Sequence, residues 1–298
     1  MGDPASPAVA SSIIAPMVTS NASDQVDYLL LGHVTKDLAP DGARLGGAVA
    51  YSGLTAHALG MHVGVVTAAG ADLPLDPLGS LHLHCLPSPD STTFENTYVD
   101  GVRHQRVTAT ARRLAPGDVP PAWAGAAFVH LAPIADELPL DAAAAFPSSR
   151  LVCTPQGWLR HWDASGRVAH HPWERILPAL QGVQAAVLGW EDVGHDAEAA
   201  HQLAKVVPVL VFTAGASGAD LFFSGQSAHL DAPAARQVDP TGAGDIFAAA
   251  FFVGLLRGEA PMISARRAAR IAAQSVEAVG LRGVPSPMDL AALEPTRS

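Results

Sequence analysis

The chain has 298 residues, 49% of them hydrophobic, and only 15% charged, against roughly a quarter charged in an average soluble domain. That length and apolar content suffice for a sizeable core, and they exclude the charge-rich, apolar-poor pattern of a disordered chain. A formal net charge of −10 argues against broad attraction to nucleic acid or to an anionic membrane surface, and no uninterrupted apolar run of about 18 residues marks a membrane-spanning helix.

Residues 1–25 are rich in Ala, Ser and Pro and lack the basic start and apolar stretch of a secretory signal. They are expected to be a disordered leader. The first ordered element is a buried strand over 28–32, a short apolar run ended by glycine. A small-residue helix is expected over 48–59, then a second apolar strand over 63–67, an order that implies a parallel crossover. The pattern then changes to alternation at 92–99 and 102–108 around Asp100-Gly101, a strong β-hairpin signal. One hairpin in an otherwise alternating α/β chain predicts a flap over the main domain.

Short apolar strands are expected again at 126–131, 151–154, 185–188 and 207–213, followed by a second hairpin at 219–223 and 227–230. The last third reads as helix over 245–257 and 263–279, with a short tail from 293 to 298. Strands this apolar require cover on both faces, so the chain predicts one α/β domain at 26–292. Cys85 and Cys153 lie far apart and form no framework. They are read as two free buried thiols in a cytoplasmic protein, with a single disulfide as the alternative.

The segment Asp239-Pro-Thr-Gly-Ala-Gly-Asp245 runs into a helix that is apolar nearly all round. The first turn of such a helix carries N–H groups without intrahelical partners and a partial positive charge. Gly242, Ala243 and Gly244 therefore make a candidate anion hole. Asp245 is a candidate base for removing a proton from an attacking hydroxyl. The competing interpretation is a helix-capping Asp after a glycine turn. The segment lacks the Gly-Lys-Ser/Thr ending of a P-loop.

Residues Val238-Asp-Pro-Thr-Gly-Ala-Gly-Asp-Ile-Phe247, with Gly46-Gly-Ala-Val-Ala-Tyr-Ser-Gly53 upstream, resemble the two signature motifs of the ribokinase-like (PfkB) carbohydrate kinases. That resemblance implies a central, mostly parallel sheet covered by helices on both faces, with a small β lid near 33–45 and 92–108. It implies ATP and Mg2+ as cofactors and a small polyol or sugar as substrate. Asp245 would be the base, with the backbone of Gly242, Ala243 and Gly244 binding the transferred phosphoryl group. Asp37, Gly46 and Gly47 would hold the substrate. Thr213, Gly215 and Gly218 would line the nucleotide. Asp239 and Thr241 fall where many relatives bind a monovalent cation, here potassium. The family's Asn-x-x-Glu motif is replaced by Gly189-Trp-Glu-Asp192, which leaves Glu191 and Asp192 as the acids that would order water around magnesium. Ala48 and Tyr51 replace a Lys and an Asn of ribokinases proper, which disfavours ribose.

The branch most similar in these details is that of the myo-inositol kinases, on the 237–245 segment, Thr92-Thr-Phe94 before the hairpin, and Pro155-Gln-Gly157 before Asp163-Ala-Ser-Gly166. The expected activity is transfer of the γ-phosphate of ATP to a hydroxyl, with myo-inositol the first acceptor. A nucleoside kinase using Tyr51 and Phe94 as a base slot is the alternative, and a non-catalytic binding member is the contrasting class. Arg103 and Arg106 on the hairpin are candidate phosphate contacts. Trp158, Trp162 and Trp173 are read as anchors of a long loop, and the 13 histidines as surface or loop residues rather than metal ligands. Pairing of two copies through the lid hairpin is the expected oligomer contact.

Overall fold

The apolar runs bounded by turn residues become parallel strands because each buries both faces. In the computed structural model, which describes residues 17–18, 25–39, 42–99 and 102–293, the strands are Met17–Val18 (β1), Tyr28–Leu31 (β2), Thr35–Ala39 (β3), Gly42–Gly46 (β4), Val63–Ala69 (β5), His82–Pro87 (β6), Thr92–Val99 (β7), Val102–Ala109 (β8), Phe128–Leu131 (β9), Arg150–Cys153 (β10), Arg160–Trp162 (β11), Val168–His170 (β12), Ala185–Gly189 (β13), Val209–Thr213 (β14), Ala219–Phe223 (β15) and Gln226–Leu230 (β16). The helices are Ala48–Ala58 (α1), the single turn Gln156–Leu159 (α2), Ala197–Val206 (α3), Ala243–Leu256 (α4), Pro261–Ser275 (α5) and Pro287–Leu293 (α6). The expected leader and tail fall almost wholly outside the described residues; Met17–Val18 pairs antiparallel with β6.

The large sheet runs β1-β6-β5-β2-β9-β10-β13-β14-β15-β16. Every pair from β6 to β14 is parallel, and the last three strands form an antiparallel edge. Alternate residues of one strand feed opposite cores. Leu29 and Leu31 join Cys153, Leu188, Phe212 and the α3 residues Ala199 and Leu203 on one face. Tyr28, Leu30 and Val65 meet α1 on the other face, where Val187 and Val211 meet α4 and α5. This two-sided cover accounts for the near-continuous apolar strands.

The lid is a separate four-stranded sheet of order β4-β3-β7-β8. The chain first enters it past His33, which is buried. Its backbone N–H donates to Glu137 Oε1 at 2.8 Å, and the same carboxylate takes the N–H groups of Ile134 and Ala135. The Arg112 carbonyl can only accept, so His33 Nε2 carries the hydrogen in that 2.8 Å contact, leaving Nδ1 to accept from Thr92 Oγ1 at 2.7 Å. Three strand crossings between sheet and lid thus converge on one side chain.

Three local expectations shift. Helix α5 ends at Ser275, short of 279, because the Val276 carbonyl turns to the N–H groups of Val238 (2.7 Å) and Asp239 (3.0 Å). Helix α3 went unanticipated. Its signals are Asp196, whose carboxylate caps Glu198 N–H at 2.8 Å, and apolar residues at 199, 200 and 203. The stretch of the three tryptophans is no mere loop, since it contains α2 and the β11–β12 hairpin. Trp158 anchors it as expected, fully buried with its indole N–H on the Leu138 carbonyl at 2.8 Å. Both cysteines are free and buried, and burial pushes the Cys85 thiol up to about 11.

Helix α4 is buried without a break from Ile246 to Gly254, packed between α1, α5 and the sheet. Gly254 sets how closely α5 approaches: a Cβ there would strike Ser264 Oγ, itself bonded to the Phe251 carbonyl at 2.8 Å. Gly254→Ala is expected to lower stability by about 1–3 kcal/mol through this overpacking, read as the shift in a denaturant midpoint at unchanged slope.

Candidate active site

The carboxyl ends of β9, β10, β13 and β14, the N-terminus of α4 and the underside of the lid enclose one cavity of about 660 Å³. Such crevices beyond the strand ends are where open α/β sheets bind ligands. Of the residues singled out in the sequence, it collects Asp37, Gly47, Tyr51, Phe94, Glu191, Asp192, Thr213, Gly215, Gly218, Thr241, Gly242, Ala243, Gly244 and Asp245.

The local geometry of α4 explains its start. Gly242 sits at the N-cap with φ +79°, in the left-handed region. A Cβ on it would fall inside the Tyr51 ring, so α1 and the start of α4 touch through an aromatic face laid on bare backbone. One residue on, Ser52 Oγ donates to the Asp245 carbonyl at 3.0 Å. Among the described residues, the N–H groups of Gly242 and Gly244 have no protein acceptor. The Ala243 N–H does: it donates to the Pro240 carbonyl at 3.2 Å. The expected three-donor anion hole is therefore corrected to one in which Ala243 is already engaged by the preceding turn.

Asp245 lies in the first turn and accepts from Gln156 Nε2 at 3.2 Å through Oδ1. Arg160, buried at the cavity wall, donates to Gln156 Oε1 at 2.9 Å and to the Ile134 carbonyl at 3.1 Å. Its guanidinium also lies 5.9 Å from the centre of the Phe94 ring on the lid. Gln156, Arg160, Thr35 and Gln105 all line the cavity and were not identified from the sequence. The i, i+4 spacing of Gln156 and Arg160 was the available sign, but nothing local ties either to Asp245.

At the lid end, Thr35 Oγ1 donates to Asp37 Oδ1 at 2.9 Å. Gly46 does not line the cavity. A Cβ there would strike Asp37 Oδ2, so this glycine makes room for the Asp37 carboxylate rather than for a ligand. Gly47 has φ +96° and lies against the His33 carbonyl. Burial raises the Tyr51 phenol well above its ordinary value, and Asp37, Asp239 and Asp245 add to this while Arg44 opposes it. Tyr51 therefore stays neutral, a donor rather than an anion, near Asp37 and Asp245 in the cavity.

The remaining acids divide by their partners. Asp192 gives Oδ2 to the Gly189 N–H at 2.9 Å and closes the turn it sits in, while Glu191 is exposed at the cavity wall. Asp239 does not line the cavity. Partial burial pushes its carboxyl up, but the hydrogen bonds from Thr241 and Gly280 and the nearby Arg44 outweigh this and hold it low. Thr213 lines the cavity and donates to the Leu188 carbonyl at 3.2 Å. Arg106 donates to the Ser165 carbonyl at 2.7 Å and pairs with Glu95, so the lid arginine expected to reach a phosphate is spent on a neighbouring turn. The side chain of Arg103 lies outside the described residues.

Gly242→Ala combines a left-handed backbone with the Tyr51 collision. It is expected to cost about 1–3 kcal/mol, read as a drop in thermal midpoint. Adding Tyr51→Ala removes only the collision, so the double variant should stay below the Tyr51→Ala single by the backbone share of that cost.

Comparison with known proteins gives this geometry a context. Residues 179–287 match the pfkB family carbohydrate kinase domain. The chain is 35% identical to inositol 3-kinase of Zea mays over 108 residues, a match spanning 35% of this chain and 27% of that protein. It is 28% identical to cytidine kinase of Thermococcus kodakarensis over 255 residues, covering 78% of this chain and 90% of the relative. The structure of a pyrophosphate-dependent kinase in the ribokinase family, complexed with a pyrophosphate analog and myo-inositol, superposes with a TM-score of 0.76 at 20% identity, covering 89% of this chain and all of that one. The large parallel sheet, the separate lid sheet and the likeness to that structure show that this chain has the ribokinase fold, and its residues 179–287 match the pfkB family carbohydrate kinase domain.

Proposed function

We propose that this protein is a small-molecule kinase that transfers the γ-phosphoryl group of ATP to a hydroxyl of a polyol or sugar, with myo-inositol as the first acceptor. The observation that carries this reading is the shared cavity, in which Asp245 and the open Gly242 and Gly244 N–H groups stand between two chemically different ends.

The lid end presents Thr35, Asp37, Gln105 and the neutral Tyr51, a set of hydrogen-bonding groups suited to a ring of hydroxyls. A carboxylate such as Asp37 accepts from two hydroxyls at once. The other end is walled by Ala232, Ala234, Ala235, Ala269, Ala272 and Ala273 with Val276. This slot suits a flat apolar ring such as adenine. Pyrophosphate would leave it empty. Among the described residues lining the cavity, Arg160 is the cationic side chain, and it lies at the acceptor end. Glu191 and Asp192 offer carboxylate oxygens of the kind that hold magnesium through water, and magnesium there would neutralise the donor phosphates. A potassium ion beside Asp239 and Thr241 would rest on loop carbonyls, because both Asp239 oxygens already take backbone N–H groups.

In this mechanism Asp37 and the Gly47 backbone orient the acceptor. Asp245 takes the proton of the attacking hydroxyl, and the Gly242 and Gly244 N–H groups meet the charge on the transferring group. Closure of the lid keeps water from the reaction. The second reading, a nucleoside kinase, is favoured by the similarity to cytidine kinase over most of the chain and would place the base against Phe94 and Tyr51. Pairing of two copies would use the lid, where Leu38 is exposed.

Turnover against a panel of inositols, hexoses and nucleosides, with ATP or pyrophosphate as donor, tests these assignments. Phosphorylation of an inositol by ATP is expected, with Asp245→Asn lowering kcat by about 10²–10⁴-fold. Preference for a nucleoside selects the second reading, preference for pyrophosphate removes the adenine-slot argument, and robust turnover by Asp245→Asn removes the base.

A further inference from the structure

We infer that Gln156 is a positioning residue for Asp245, its amide held the right way round by Arg160 so that a donor faces the carboxylate. This rests on the reading of Asp245 as the base and adds to it a residue that acts through that base.

The argument begins from the asymmetry of the groups. A glutamine amide has a donor end and an acceptor end that are interchangeable in shape, so its orientation must be settled by its neighbours. Arginine has only donors. With Arg160 Nη2 at 2.9 Å, the oxygen of Gln156 must face the guanidinium, and the NH2 group is then directed at Asp245 Oδ1, 3.2 Å away. A flipped amide would set donor against donor at Arg160 and acceptor against acceptor at Asp245. Arg160 in turn is fixed: it is buried, its Nη1 is bonded to the Ile134 carbonyl, and it lies over the Phe94 ring. Gln156 and Arg160 bracket the short helix α2, so their separation is set by one helical turn. Gly157 between them lies directly against the Pro133–Ile134 backbone, where a Cβ would strike it, which keeps that turn close to the strand ends.

Two consequences follow from a neutral donor on the base. It holds the carboxylate plane through one oxygen, which favours the geometry needed for proton transfer. It also stabilises the ionised form, the form that can accept a proton. Removing the donor must therefore raise the pH at which Asp245 becomes ionised and move the acid limb of activity to higher pH.

The contact is read without any ligand by titrating the side-chain carboxyl carbon of Asp245 in the full chain labelled with 13C-aspartate, assigned by its loss in Asp245→Asn. Gln156→Leu is expected to raise the midpoint by about half to one unit, and Arg160→Met to raise it too, because it frees the amide and removes a nearby positive charge. Gln156→Glu, which places a like charge there, should raise it most. In assays with MgATP and myo-inositol, Gln156→Leu should lower kcat about 10- to 100-fold with the acceptor KM held within about threefold and the acid limb displaced upward. An unmoved Asp245 midpoint in a folded Gln156→Leu variant overturns the inference, as does a loss confined to KM. Full activity in Asp245→Asn instead overturns the base reading, while the titration still decides whether Gln156 acts on that carboxylate.

Discussion

The contact between the Tyr51 ring and the backbone of Gly242 sets the rest of the site in place. It joins the helix that follows the di-glycine turn to the first turn of α4, elements separated by nearly 200 residues of sequence, and it works only because Gly242 has no side chain and a left-handed φ. The Ser52 hydroxyl on the Asp245 carbonyl adds a second tether in the same place. Together they hold the N-terminus of α4, buried from Ile246 to Gly254, at the cavity, so the Gly242 and Gly244 N–H groups and the partial positive charge border it. The same Tyr51 is kept neutral by its burial and by the surrounding carboxylates, which makes it compatible with Asp37 and Asp245 in the same cavity.

The lid is positioned by a second device of the same economy. His33 and Glu137 gather the chain crossings between the large sheet and the small one, each through contacts of under 3.1 Å to backbone or hydroxyl groups. From there the lid reaches the chemistry through side chains: Asp37 seated against Gly46, and Phe94 against Arg160, which bonds to Gln156, which bonds to Asp245. The lid is thus connected to Asp245 by a continuous set of contacts and is more than a cover.

The two ends of the cavity differ in how narrowly they specify a ligand. The end at α4 is built from backbone groups and small alanine walls that lie within the matched segment 179–287. The lid end is built from individual side chains of the lid and of α2.

Local chemistry was enough for the sequence to determine the buried apolar strands, the pairing of the two alternating runs at 92–99 and 102–108, the apolar helix after Asp245 and the glycine turn before it, because period, turn residues and capping act over a few positions. The resemblance of two motifs to a family's signatures implied that Asp245 and Asp37 share one site, and both line the same cavity. Tertiary structure decided what those residues touch. Gln156 meets Asp245 across 89 positions, and Asp239 spends one carboxylate oxygen on Gly280, 41 positions away. Ala243 gives its N–H to the preceding turn, and Arg106 gives its guanidinium to Ser165. A side-chain hydrogen bond depends on which elements are brought together and at what angle, and no periodicity in the chain encodes that. Asp245 therefore gained from the fold not its identity but its partner and its orientation.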